Sequence, residues 1–232
     1  MRWLFSRASV IGPAHVLSAL PNQDSVGICS SRHLWAACVS DGLGSKPFSD
    51  VGSKLAVKVA LSNLYNAVDS DDHQEFVTRL YNDWLKQIIP LKATDAAATC
   101  LAAFGLGNNR VRLIQLGDGV ILYRSRGVTS FISSSGNKFG NETTALGSSK
   151  RFSDWDFIDI EISEKGDGVI LMTDGISDDI EPVNFPEFMQ SMYESLRRKS
   201  TRRRNSWLKQ ELMSWPTPGH SDDKSIAVVF RN

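Results

Sequence analysis

The sequence predicts an α+β fold built on antiparallel sheets. Three observations carry that expectation. Short apolar runs dominate and follow one another in hairpin order, separated by Gly, Asn and Asp. The helical segments come in two pairs rather than one between every two strands, which departs from an alternating βαβ layout. No internal repeat shows and no linker divides the chain, so residues 1–232 are expected to form a single domain.

The elements run in order along the chain. "DSVGICSSRHLWAACVSDG" (24–42) reads as a hairpin, two apolar runs around the polar "SSRH". "SDVGSKLAVKVALSNLYNAV" (49–68) carries Val51, Leu55, Val59 and Ala60 at helical spacing, with Ser49 or Asp50 able to cap its start. "HQEFVTRLYNDWLKQIIP" (73–90) is a second helix, striped by Phe76, Leu80, Trp84 and Ile88 and closed by Pro90. Residues 96–133 read as strand after strand, turning at Gly-Asn-Asn, Gly-Asp-Gly and Arg-Gly. The polar, Gly-rich stretch 133–154 reads as a surface loop. "WDFIDIEIS" and "GVILMTDG" give two more strands, residues 185–213 one or two helices, and "KSIAVVFR" (224–231) a last strand. The helix pairs are expected to cover the sheets.

Composition narrows the function classes. Hydrophobic residues make up 41% of the chain, enough for a core. Lys plus Arg equals Asp plus Glu, 26 each, which argues against a general nucleic-acid binder. The run "RRKSTRRR" (197–204) reads first as a solvated helix end and loop, with a docking patch for an acidic partner as the alternative. Cys29, Cys38 and Cys100 are too few and too irregularly spaced for a disulfide framework or a zinc knuckle, and read as buried thiols. The first residues lack the unbroken apolar run of a signal peptide, and no stretch approaches the roughly 18 apolar residues that span a membrane. The expectation is a cytoplasmic protein with no membrane partner.

The carboxylates are the informative feature. An apolar strand running into Asp recurs in "AACVSDG", "RLIQLGDG" and "VILMTDG", and the acidic pair in "SDDK" precedes the last strand. Each is open to a plain reading, since Asp-Gly is a common turn. Asp167 in "EKGDGV" lies between two strands and resembles such a turn. Asp41 and Asp174 differ, because each ends a strand and leads toward a helix or loop. Asp118 is followed at once by the strand "GVILY". Carboxylate oxygens suit Mg²⁺ or Mn²⁺, whereas zinc prefers nitrogen and sulfur. The four histidines, His15, His33, His73 and His220, show no metal-binding spacing. Two divalent ions on shared carboxylates would serve phosphoryl transfer.

These motifs, taken together and in order, resemble the metal-dependent protein phosphatases of the protein phosphatase 2C family, especially the compact bacterial members. "PNQDS" (21–25) is similar to the family's opening acidic motif, and "VSDGLGS" (39–45) to its Asp-Gly metal motif. "AAATCLAAF" (96–104) resembles the strand after that motif, and "LGDG" (116–119) the Gly-Asp-Ser motif. "MTDGISD" (172–178) resembles the Thr-Asp-Gly motif with a second acid four residues on, and "SDDKS" (221–225) the closing Asp-Asn motif. The resemblance implies two packed antiparallel sheets with helix pairs outside, an α-β-β-α sandwich with metals at one edge. It implies that Asp41 bridges two Mn²⁺ or Mg²⁺ ions, with the Gly42 carbonyl on one, while Asp174 and Asp222 hold the other. It implies that Asp24 orients metal-bound water, and that Asp118 and Asp178, helped by Asp174, form a third and weaker ion site. The implied enzyme is a monomeric serine/threonine protein phosphatase that acts by a metal-bridging hydroxide, without a phosphoenzyme, on phosphorylated proteins and against a kinase.

Several positions depart from the family pattern. Ala19 stands where an Arg often grips phosphate, Gln23 where Glu is common, Leu43 where some members have a His proposed as general acid, and Asp223 where Asn closes the last motif. Lys46 is the candidate phosphate contact, although a solvated loop lysine is its plain reading. His15 and His220 are candidates for the acid on proximity to motifs alone. Cys100, inside an apolar strand with no phosphate-binding loop, is no nucleophile. Two rival classes are a phosphatase fold kept only for binding, and a metal-dependent nuclease or phosphodiesterase. Asp41, Asp174 and Asp222 argue against the first, since a silent site is free to lose them. Neutral charge and the lack of basic residues interleaved with aromatics argue against the second.

Overall fold

A computed structural model describes residues 3–133, 144–149, 151–215 and 221–232. Half of the expected 133–154 loop, residues 134–143 and 150, and His220 lie outside the described residues; in the described remainder Ala145, Leu146 and Gly147 are buried, so that part is not the surface loop expected.

Among the described residues, ten strands form two five-stranded antiparallel sheets. The first sheet holds β1 (Trp3–Val10), β10 (Lys224–Arg231), β9 (Gly168–Met172), β6 (Val120–Ser125) and β7 (Val128–Ser133), in that spatial order. The second holds β2 (Ser25–Ser31), β3 (Leu34–Ser40), β4 (Cys100–Gly107), β5 (Arg110–Leu116) and β8 (Asp156–Glu161), also in order. The helices are α1 (Pro13–Leu17), α2 (Ser49–Ser62), α3 (Leu64–Asp69), α4 (His73–Ile88), α5 (Asp174–Ser177), α6 (Phe185–Arg197) and α7 (Thr201–Met213). The expected antiparallel sandwich with outer helix pairs is the observed one.

Alternation along the strands explains the layers. In β4, Leu101 and Ala103 face the other sheet, while Cys100, Ala102 and Phe104 face α2 and α4. In β10, Ala227 and Val229 point between the sheets, while Ile226, Val228 and Phe230 meet α6 and α7. Successive side chains point to opposite faces, and both faces are covered. The central strands therefore read as unbroken apolar runs although their sheets are antiparallel, a pattern more usual in parallel sheets. The Phe76, Leu80, Trp84 and Ile88 stripe of α4 is wholly buried. Asp72 caps that helix by accepting from Gln74 N at 2.8 Å and Glu75 N at 3.2 Å, a contact worth about 1 kcal/mol.

One strand is new, and several expectations change. The first residues form an edge strand, β1, paired along its length with β10. The single helix expected over 49–68 is two, α2 and α3, which meet at Asn63, whose side chain folds back onto the Val59 carbonyl at 3.1 Å. Neither Ser49 nor Asp50 caps α2, whose cap position is Phe48. The basic run is not uniformly solvated: Arg204 is buried and donates to the Leu196 carbonyl at 3.1 Å, while Lys199 sits 4.2 Å above the Trp207 ring. Cys38 and Cys100 are buried free thiols as expected, and Cys29 is half-buried. Among the described residues no helix is long and apolar enough to cross a membrane.

Candidate metal centre

Strand polarity brings the acidic motifs to one edge of the sandwich. The last residue of β3, Ser40, pairs with the first of β2, Ser25. The last residue of β9, Met172, pairs with Ile226 near the start of β10 and with Val120 at the start of β6. Residues just before β2, β6 and β10 and just after β3 and β9 must therefore share that edge. Those residues are Asp24, Asp118, Asp222, Asp41 and Asp174.

Asp118 reaches the edge by an unexpected route. Its Gly-Asp-Gly segment is not a turn within one sheet. It carries the chain from β5 in one sheet to β6 in the other, through positive φ of 97° at both Gly117 and Gly119. Side chains with a Cβ seldom adopt such angles. Gly42 is required for another reason: a Cβ there would lie 2.5 Å from the Ser49 carbonyl oxygen at the start of α2.

One carboxylate oxygen from each of Asp41, Asp118 and Asp174 lies within 4.8 Å of the others. The electrostatics record the crowding. Burial, then Asp24, Asp174 and Asp222, hold the Asp41 carboxyl well above the usual carboxylate range. Burial raises Asp174 to about 6, followed by the charges of Asp118, Asp222 and Asp178. Burial lifts Asp24 to about 8, opposed by its bond from Thr173 and aided by Asp223. The Asp24 and Asp41 carboxyls are near enough to perturb each other. Asp222 and Asp178, both exposed, complete the acidic rim.

Asp167 provides a contrast within the same chain. It is fully buried, yet its carboxylate accepts four backbone amides: Arg126 N and Gly127 N, both at 3.0 Å, Ser163 N at 3.2 Å and Glu164 N at 2.9 Å. It ties two turns together, so the expected turn residue is a buried anchor. Asp41, Asp118 and Asp174 instead crowd like charges into one place. Oxygen donors in that arrangement fit a hard divalent cation such as Mn²⁺ or Mg²⁺.

Two further sequence candidates adjoin this cluster. Gly42 comes directly after Asp41, with its N–H on the Gln23 carbonyl at 3.1 Å. Lys46 is half-buried in the next turn, where its ammonium makes no hydrogen bond or ion pair among the described residues. Three positions were not singled out as site residues from sequence. Thr173 donates to Asp24 Oδ2 at 2.8 Å. Thr99 accepts from Asp41 N at 2.9 Å and donates its own N–H to the Asp41 carbonyl at 2.7 Å. Lys224 is buried and bonds the Asp222 carbonyl at 3.2 Å. Each lies inside a quoted motif, "MTDGISD", "AAATCLAAF" or "SDDKS", and that membership is the signal of them in the sequence.

Comparison with known proteins agrees with the fold. A family model described as Protein phosphatase 2C matches residues 11–213. No curated protein sequence matches the chain. The catalytic domain of the serine/threonine protein phosphatase PstP, solved with two manganese ions, is similar with a TM-score of 0.65 at 19% identity, over 98% of this chain and 97% of that one. The serine/threonine phosphatase of S. agalactiae gives 0.69 at 14% identity, with 100% of each chain covered. PppA, a regulatory component of T6SS in Pseudomonas aeruginosa, gives 0.67 at 16% identity, over 99% of this chain and 98% of that one.

Proposed function

The chain belongs to the protein phosphatase 2C family, and from that premise we propose a metal-dependent phosphatase that hydrolyses phosphoserine and phosphothreonine in proteins. The observation that carries this reading is the convergence of Asp41, Asp118 and Asp174 within 4.8 Å at one sheet edge. We assign Asp41, the Gly42 carbonyl, Asp174 and Asp222 to two divalent cations, and Asp118 and Asp178 with Asp174 to a third. Similarity to PstP, solved with two manganese ions, and to RsbX, solved with magnesium, supports Mn²⁺ or Mg²⁺ as the metal. Bound cations would lower the pKa of water and neutralise the phosphate oxygens.

The chain's own residues do the rest. Asp24, fixed by Thr173, orients the attacking water. Water attacks phosphorus directly, and no side chain becomes phosphorylated. Residues 1–232 act as one catalytic domain, monomeric and cytoplasmic, on proteins phosphorylated by a serine/threonine kinase. Lys46 is the candidate phosphate contact, its ammonium having no other partner among the described residues.

The test is hydrolysis of p-nitrophenyl phosphate and of a phosphoserine peptide, with Mn²⁺, Mg²⁺, Zn²⁺ or chelator present. Turnover of both substrates with Mn²⁺ or Mg²⁺, lost on chelation, is expected. Inertness towards both would favour the binding-module reading. Cleavage of a phosphodiester in preference to both monoesters would favour a phosphodiesterase.

A further inference from the structure

His15 stands beside the acidic edge and has no role in the reaction as proposed. Its Nδ1 lies 2.8 Å from Asp223 Oδ2. Asp223 is only 2% exposed and is held by backbone on two sides. Gly12 N donates to Oδ1 at 2.7 Å, and Gln23 N donates to Oδ2 at 2.6 Å. A carboxylate gripped in this way cannot turn away, and it is the acceptor. Nδ1 is therefore the donor, and the imidazole is fixed with Nε2 on the opposite side of the ring. Among the described residues Nε2 has no hydrogen-bond partner, and the side chain keeps 16% of its surface open.

The ring adjoins Asp222, one of the carboxylates assigned to a cation. Candidate ligand atoms of His15, Asp222 and Asp223 lie within 4.8 Å of one another. The trio is not itself a cation site, because Nδ1 and both Asp223 oxygens are committed to hydrogen bonds. The other described histidines lie elsewhere: His33 lines a cavity with Trp3 at the opposite end of β3, and His73 stacks on Phe157.

Serine and threonine leave phosphorus as alkoxides, which depart poorly unless a proton reaches the oxygen as the bond breaks. Carboxylates committed to cations have none to give. We propose that His15 is the general acid of this reaction and that Asp223 is its positioning residue. The Nε2–H of the imidazolium passes its proton to the serine oxygen as the P–O bond breaks. The bonding pair stays on that oxygen, which leaves as a free hydroxyl. Water supplies the new oxygen on phosphorus and releases one proton to solvent, and the imidazole takes one back. This inference rests on the phosphatase reading.

The experiment compares wild type, His15→Gln and Asp223→Asn, all with Mn²⁺, on aryl phosphates of increasing leaving-group basicity and on a phosphoserine peptide. For His15→Gln, kcat on the peptide should fall about 100-fold. The loss on p-nitrophenyl phosphate should be much smaller, because that phenolate departs without a proton. Asp223→Asn should steepen the same dependence on leaving group to a lesser degree. An equal loss across all leaving groups overturns the acid role while leaving the phosphatase reading intact. A wild type inert towards every monoester overturns both. A measurement independent of variants and of turnover is ring-nitrogen NMR of His15 in the metal-free wild type. A proton on Nδ1 is expected, and a neutral ring protonated on Nε2 alone overturns the orientation.

Discussion

Thr173 Oγ1 donates a 2.8 Å hydrogen bond to Asp24 Oδ2 across 149 positions of sequence. Thr173 directly follows β9 in one sheet, and Asp24 precedes β2 in the other. The same hydroxyl accepts from Ser225 N at 3.0 Å. One side chain thus clips the two sheets together at the acidic edge and fixes the carboxyl proposed to orient water.

Thr173→Val keeps the shape and removes the hydroxyl, leaving Asp24 and Ser225 N each short of a partner. Unfolding free energy should fall by about 1–3 kcal/mol, read from urea denaturation. Turnover with Mn²⁺ should fall roughly tenfold, the usual effect of losing a group that orients a metal-site residue. Thr173→Ser should restore most of both. Wild-type stability and turnover in the valine variant would refute the clip.

Asp174→Ala should abolish turnover without unfolding the chain. Asp174 lies past the end of β9 at the sheet edge, so no core contact is lost. In the metal-free protein its removal relieves repulsion with Asp118 and Asp222. The metal-free melting temperature should hold or rise, while the gain on adding Mn²⁺ shrinks and kcat drops by orders of magnitude. A turn residue would give the reverse, a modest loss of stability and near-normal turnover.

The raised carboxyls fix the sign of the pH dependence. Asp174, at about 6, and Asp24, at about 8, keep protons in the folded protein that the unfolded chain has already released. The folded state binds more protons, so this part of the stability is full below about pH 4 and is lost as the pH rises through about 6 and then about 8. With chelator present, the melting temperature should decline over that window. Cations displace the same protons, so the gain on adding Mn²⁺ should be larger at pH 8 than at pH 6. A metal-free stability that climbs from pH 6 to pH 8 would contradict the crowding.

Asp167 should behave oppositely to Asp174. Asp167→Ala removes the shared acceptor of four backbone amides, its own carboxylate being fully buried. The cost should be roughly 3 kcal/mol or more in urea denaturation. Turnover per folded molecule should stay near wild type, because the residue is remote from the acidic edge. Loss of turnover without loss of stability would reverse its assignment.

Much of this protein was legible in the sequence because the signals are local. The β2–β3 hairpin, the run from β4 to β7 and the stripe of α4 are each written within a few neighbouring residues, as alternation, turn chemistry or helical spacing. The contrast of Asp41 and Asp174 with Asp167 was also legible, since it depends on the residues just past each Asp-Gly. What the sequence could not supply is contact between distant segments. Nothing near Gly117 or Gly119 says that the chain changes sheets there. The edge strand β1 is specified by its partner β10, more than two hundred residues on. Asp167 resembles a turn until its four amides are seen. His15 and Asp223 are 208 positions apart, and neither carries any mark of the other. Local propensity depends on adjacent residues and can be read along the chain. Which carboxylates crowd together, and which are satisfied by amides or an imidazole, depends on packing two sheets face to face, and only the tertiary structure decides it.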